Sequence, residues 1–247
     1  MTTVATHSDE RRRKTILPNG IRVISERIPH IHSITLGVWV WSGSRFETQE
    51  NNGIAHFLEH MLFKGTQRRD AFEIARTIES LGGYLNAFTG RELNCFFVRV
   101  LKDDDAISID LLADILQNSV FDPEEIEKEK GVVIDEIHGM EDTPEELVLD
   151  NFTRAVWQPH TLSRSILGTV DTVTSFKDSD LRNYLTAHYH PERTYIIATG
   201  AVDHEKLAHL VETAFTLKAN DNVAPITPVT PSTGQQIIIP KDISQAH

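Results

Sequence analysis

A single cysteine, Cys95, is all that 247 residues provide, so no intrachain disulfide can form and a reducing compartment is the natural setting. Positive charge is also scarce. Against 36 Asp and Glu stand only 24 Lys and Arg, and a formal charge of −12 argues against a nucleic-acid partner. Long apolar runs are missing too: the longest, about Ile34 to Trp41, falls far short of a membrane span, and Met1 to Glu10 lacks the apolar core of a signal peptide. What is present is ordinary, with 40% hydrophobic and 24% charged residues in a length that suits one large domain, or one domain plus part of another. A soluble, cytoplasmic protein with neither nucleic acid nor membrane among its partners is expected.

Residues 1–14, which hold the one basic run, Arg11-Arg12-Arg13-Lys14, read as a disordered, solvated tail. The turn Leu17-Pro18-Asn19-Gly20 leads into a strand over Ile21 to Ile24, and Ser33 to Trp41 is a longer one. A helix from about Asn52 to Phe63 and another over Ala71 to Leu81 precede two paired strands, Tyr84 to Thr89 and Leu93 to Leu101. Helices then start at Asp103, at Asp122-Pro123 with its capping Asp, at Pro144 and at Ser179; strand Thr194 to Ala201 and a helix over 203–216 follow. That order predicts an α+β fold, an antiparallel sheet with helices packed on one face. From 220 to 235 the composition shifts to Pro, Thr, Asn and Val without periodicity, as in an interdomain linker. The expected organisation is a catalytic domain over 15–219, that linker, and the start of a truncated second domain at 236–247, opening with a strand at Gln236 to Ile239.

The most informative stretch is His56-Phe57-Leu58-Glu59-His60. At about 100° per residue, His56, Glu59, His60 and Asn52 share one sector of a helix whose remaining circumference is apolar. Two neutral imidazoles one turn apart can bind one zinc ion, and a neighbouring carboxylate that does not bind it can take a proton from water that does. The order H-x-x-E-H is that of the inverted zinc peptidases. Five residues alone recur too easily by chance to carry a function, and a third ligand is needed.

On the helix from Pro123, the residues Ile126, Val132, Val133, Ile137 and Met140 define a buried arc, and Glu129 and Glu136 fall inside it. An ionised carboxylate taken from water without a partner is costly, so these two need a cation or donors. Glu125, Glu127, Glu141, Glu145 and Glu146 read as solvated acids. His188-Tyr189-His190 reads as a capping and packing feature at a helix end, and His138 faces away from the arc.

The run Gly53-Ile54-Ala55-His56-Phe57-Leu58-Glu59-His60-Met61-Leu62-Phe63-Lys64-Gly65-Thr66 resembles the signature of the pitrilysin and mitochondrial-processing-peptidase family of zinc endopeptidases, nearest its short-chain bacterial branch. The similarity runs through Ser165-Ile166-Leu167-Gly168-Thr169 and His190-Pro191-Glu192-Arg193 and covers roughly 15–245. The resemblance implies one zinc ion per chain held by His56, His60 and Glu136, the last standing 76 residues after the second histidine. It implies Glu59 as general base on metal-activated water and Glu129 as the acid that orients a ligand histidine. It further implies that Asn86 and Ala87 contact an extended peptide added to the strand over 84–89, and that Phe63 lines the pocket for the side chain after the scissile bond. A second, similarly folded domain or subunit would enclose the substrate. The family more often has a threonine-containing strand where this chain has Leu93-Asn94-Cys95, a departure expected to matter little for catalysis.

Two other readings compete. S-ribosylhomocysteine lyases carry H-x-x-E-H with a cysteine as third ligand, for which Cys95 is the only candidate, in an apolar setting that suits a small buried hydrophobe. Assembly subunits that keep the fold without catalysis form the second, but such relatives lack some of the metal residues that this chain has in full.

Overall fold

The computed structural model describes residues 11–220 together with 226, 228–232, 234, 236, 238 and 240. Six strands form one sheet: β1 (Arg12–Ile16), β2 (Arg22–Arg27), β3 (Ser33–Val40), β4 (Tyr84–Thr89), β5 (Asn94–Leu101) and β6 (Thr194–Gly200), in the order β1-β2-β6-β3-β5-β4. Side chains alternate along each strand. Val23, Leu36, Val38, Phe96, Val98, Ile196 and Ala198 make one face, and that face is fully buried. Eight helices are described: α1 (Ile54–Leu62), α2 (Ala71–Glu79), α3 (Asp105–Asn118), α4 (Pro123–Asp142), α5 (Pro144–Trp157), α6 (Val170–Ser175), α7 (Asp178–His188) and α8 (His204–Ala214). Of these, α1, α2, α3 and α8 lie directly on the sheet, while α4 packs on α1, α5 and α6. The opposite face carries Trp39, Phe88 and Phe97, which remain partly exposed.

The α+β architecture with one helix-covered sheet matches the expectation, and several details differ. The sheet is mixed, because β2 pairs with β6 in parallel while the other four pairings are antiparallel. The expected tail over 1–14 is also too long. Arg12 to Lys14 belong to the edge strand β1, paired from Arg12↔Glu26 to Ile16↔Arg22, and residues 1–10 lie outside the described residues. An edge strand is spared the apolar alternation of a central one, and charges there discourage pairing with other chains. Arg12 ion-pairs with Glu26, Arg13 with Glu205, and the Thr15 hydroxyl shares a hydrogen bond with His204. The short helix α6, with its Thr169 capping box, was absent from the expectation. Of the strand expected over Gln236 to Ile239, Gln236 and Ile238 have no regular structure and the other two residues lie outside the described residues.

The loop before α1 seats the motif helix. Asn52, expected within the helix, precedes it. Buried Glu47 accepts hydrogen bonds from the Gly53 and Ala55 amides, both 2.9 Å, and from Asn52 Nδ2 at 2.8 Å. The carboxylate therefore satisfies amides at the helix start that the helix itself cannot. Burial pushes its pKa up to about 7, against the lowering effect of those hydrogen bonds and of the Arg164 charge. Asn52 Nδ2 also donates to the Ser165 carbonyl, and the backbone at Gly53 (φ +94°) lies directly against that at Gly168 (φ +80°). From the other side, Tyr184 of α7 donates to the Ser42 carbonyl at 2.6 Å and the Arg193 guanidinium sits 4.3 Å from the centre of the Phe46 ring.

Two predictions follow from this seat. A Cβ at Gly168 would lie 2.4 Å from the Asn52 carbonyl oxygen, in a left-handed conformation that alanine resists. Gly168→Ala is expected to lower the unfolding free energy by about 2–4 kcal/mol, read from the denaturant midpoint. Burial, the Arg193 charge and then His190 push His188 down to about 4, and burial with the His60 charge does the same to His56. Such imidazoles stay neutral in the fold and take up protons on unfolding, so their stabilisation is present above about 6.5 and is lost as pH falls toward 4. Glu47, with its raised pKa, acts in the opposite sense and loses its contribution as pH rises toward about 7. Burial lowers His160, His190 and His204 as well, so the lowered imidazoles outnumber the raised carboxyls Glu47 and Glu59; the melting temperature should fall between pH 6.5 and 4, and His188→Phe should make that fall shallower.

Candidate metal centre

Helix α1 presents His56, Glu59 and His60 on one side, and α4 lies across it with Glu129 and Glu136. The two imidazole Nε2 atoms face each other at 3.2 Å, and Glu136 Oε2 is 3.6 Å from the first and 3.7 Å from the second. Ligand atoms at tetrahedral angles around zinc, each about 2.0–2.1 Å from it, are roughly 3.3–3.5 Å apart. The triangle has that size. Two imidazole nitrogens held nose to nose beside a carboxylate oxygen suit a divalent cation far better than they suit each other. Among the described residues, this trio is the one group of three or more His, Cys, Asp or Glu close enough to share an ion.

The atoms behind the triangle hold it in place. His60 Nδ1 donates to Glu129 Oε1 at 2.8 Å, which leaves Nε2 as the free acceptor on that ring. Glu129 is buried, with 5% of its side chain exposed, and its other oxygen takes an ion pair from Lys64 Nζ. Burial pushes the Glu129 pKa up, but the Lys64 and His60 hydrogen bonds outweigh it and hold the carboxyl below its ordinary value. The lowered pKa of His56 likewise keeps that ring neutral, as a ligand must be.

Glu136 departs from the sequence reading. It was placed on the buried arc, yet 41% of its side chain is exposed, and Val132 of the same arc is 44% exposed. The seam of α4 is narrower than the sequence suggested, formed by Ile126, Glu129, Val133 and Ile137, because α4 packs on other helices and not on the sheet. Glu136 thus sits at the lip of the site and Glu129 inside it. Cys95 is buried on β5 in register with Trp39 and Phe88, on the sheet face away from the core cluster, and is not in the ligand group. Burial, then the Glu59 charge, pushes its thiol up to about 12, which suits an inert side chain.

Glu59 lies beside the triangle without being part of it. Burial raises its pKa, against the effects of a Thr89 hydrogen bond and of His60, with Glu136 adding to the rise. Phe63 caps the C-terminal end of α1, its ring 6.3 Å from Phe96, and lines a cavity of about 380 Å³ with Ile74, Glu79, Tyr84, Leu85 and Asn86. Asn86 and Ala87 lie on β4, the outer strand of the sheet, where the Ala87 amide donates to Asn86 Oδ1 at 2.8 Å. Sequence reasoning missed Lys64, Thr89, Asn94 and Glu47. Period-two alternation places Thr89 with Leu85 and Ala87 on the helix-facing side of β4, a signal that could have found it. The other three act through contacts that no periodicity encodes.

The family description "Insulinase (Peptidase family M16)" matches residues 22–170, more than half of the chain. The chain belongs to this family. A second description, "Peptidase M16 inactive domain", matches 175–247. Relatives include an uncharacterized zinc protease of Streptomyces coelicolor, 38% identical over 92% of this chain and 49% of its own length. A zinc protease of Bacillus subtilis is 44% identical over 74% of this chain and 45% of its own length. A probable mitochondrial-processing peptidase subunit beta of Arabidopsis thaliana is 44% identical over 85% and 39%. Among solved structures, a protease from Helicobacter pylori superposes with a TM-score of 0.82 at 25% identity, covering 89% of this chain and 53% of that one. This M16 chain spans about half the length of the curated relatives it matches, or less. The boundary between the two family matches is not a structural boundary, because β6 lies between β2 and β3 in the middle of the sheet.

If the triangle holds the ion, removing its exposed corner weakens metal retention without touching the core. Glu136→Gln is expected to lower the zinc content after dialysis from near one per chain to well below half, measured by elemental analysis. Zinc retained at the wild-type level would remove Glu136 from the ligand set.

Proposed function

We propose that this chain carries the zinc-dependent catalytic centre of a metalloendopeptidase that cuts extended peptides or unfolded protein segments. The observation that carries the reading is the triangle of His56, His60 and Glu136 with a carboxylate, Glu59, on the same helix face but outside the ligand set. Relatives named as zinc proteases support it. Zinc bound there would supply a Lewis acid that polarises a peptide carbonyl and lowers the pKa of water. Glu59 is the base: it takes the proton of the attacking water and delivers it to the leaving amine. A carboxyl whose pKa is raised by burial holds that proton more readily between the two steps. Glu129 and Lys64 fix the orientation of the His60 ring.

Substrate would lie along β4 as an added strand, with Asn86 and Ala87 in contact and the Asn86 side chain leaving the Ala87 amide as the peptide carbonyl arrives. Phe63 and the cavity beside it would take the side chain after the scissile bond. In this organisation the catalytic domain, expected over 15–219, takes in all of β1 from Arg12, 220–235 is a linker and 236–247 the opening of a second domain, with that domain or a partner subunit closing over the peptide. The greater length of the relatives supports it.

Glu59→Gln tests the assignment. Cleavage of a quenched peptide should fall by about 1000-fold or more, while zinc stays near one per chain. Cleavage at an undiminished rate would exclude Glu59 as the base.

A further inference from the structure

Glu59 does not stand alone: a short chain of polar groups leads from it into the sheet. The Thr89 hydroxyl donates to Glu59 Oε2 at 2.5 Å, and Asn94 Nδ2 donates to Thr89 Oγ1 at 2.8 Å and to the Ala55 carbonyl at 3.3 Å. The Ser42 hydroxyl donates to Asn94 Oδ1 at 3.4 Å. Asn94 is fully buried, at the first position of β5, paired in register with Thr89 at the last position of β4.

Each direction in this chain is forced by its neighbour. The Ala55 carbonyl can only accept, so the NH₂ end of the Asn94 amide must face it, and the same end then meets Thr89. With that donor arriving at its oxygen, Thr89 has one hydrogen to give. The Ala55 carbonyl lies 3.4 Å away and is already served by Asn94, whereas Glu59 Oε2 is only 2.5 Å away. The hydroxyl hydrogen therefore goes to the carboxylate. That short bond, from a hydroxyl itself held by Asn94, fixes the Glu59 rotamer. Oε2 is committed to Thr89, and Oε1 has no protein hydrogen bond among those described.

We propose that Asn94 and Thr89 are positioning residues that orient the Glu59 carboxylate, tying Oε2 and leaving Oε1 as the oxygen that exchanges protons. The inference rests on Glu59 being the base. It also revises the sequence reading, in which the departure at Leu93-Asn94-Cys95 mattered little: here the Asn94 side chain has two donors on one rigid amide, and it uses both. Threonine at that position has a single hydroxyl hydrogen, enough for Ala55 or for Thr89 but not for both.

The test compares Thr89→Val, Thr89→Ser, Asn94→Leu and Asn94→Thr with the parent chain and Glu59→Gln, reading zinc content, kcat and KM on a quenched peptide, and the Glu59 rotamer in crystals of the metal-free proteins. Thr89→Val and Asn94→Leu should turn the carboxylate away or split it between rotamers, with kcat lower by about tenfold or more and KM and zinc content within about twofold. Thr89→Ser should restore both rotamer and rate, which a loss of packing alone would not explain. A single, unmoved Glu59 rotamer in both Thr89→Val and Asn94→Leu would overturn the relay; if Asn94→Leu does not fold, Thr89→Val and Asn94→Thr decide. Undiminished cleavage by Glu59→Gln would instead sink the base assignment, a result independent of the rotamers.

Discussion

The buried carboxylate of Glu47 and the start of α1 hold each other in place, and the metal centre depends on that grip. A helix of nine residues has too few internal hydrogen bonds to define its own position. Here the first amides are taken by a side chain from outside the helix, and the same side chain holds Asn52, which in turn holds the Ser165 carbonyl. The backbone of 165–169 then closes against Gly53 with no room for a Cβ on either strand of the contact. From this seat the helix projects its two imidazoles to one point, and α4 has only to deliver a carboxylate there. Nine-residue precision is achieved by anchoring, and helix propensity contributes little.

Charge within the site is arranged in pairs of opposite demand. Glu129 inside is held below its ordinary carboxyl pKa by Lys64 and His60, whereas Glu136 stands at the lip, half open to water and facing both imidazoles. Between them, the Nε2 atoms of His56 and His60 face each other at 3.2 Å, close enough for one cation to take both. The acidic composition of the chain as a whole, read at first only as an argument against nucleic acid, is consistent with a surface that attracts cations.

Much of this was legible in the sequence, and the reasons differ by element. The α1 motif was readable because a period of 3.6 places His56, Glu59 and His60 together on an otherwise apolar helix. Strands β3, β4 and β5 were readable from β-branched and aromatic alternation. β1 was not, since an edge strand of Arg, Lys and Thr satisfies its backbone on one side only and needs no apolar face. The buried arc of α4 was drawn too wide because a helix wheel carries no information about whether its neighbour is a sheet or a single helix. Lys64 and Asn94 were invisible for a related reason: Lys64 reaches Glu129 and Asn94 reaches Ala55 across contacts between segments distant in sequence, whereas Glu47 acts locally, from a loop whose side chains follow no period.

The place of β6 bears on the order in which such a protein can assemble. β2 and β3 have no ladder to each other; both hydrogen-bond to a strand that leaves the ribosome about 150 residues after β3 has been made. Until Thr194 to Gly200 arrive, the early part of the chain has a β3-β5-β4 fragment and a β1-β2 hairpin with nothing to join them. The histidine motif is thus synthesised early and can acquire its final surroundings only late, with the core face of β3 left uncovered along one edge in the interval. That long-range closure is a feature of slow-folding topologies, and it makes the wait for β6 the period in which the nascent chain is most exposed to aggregation.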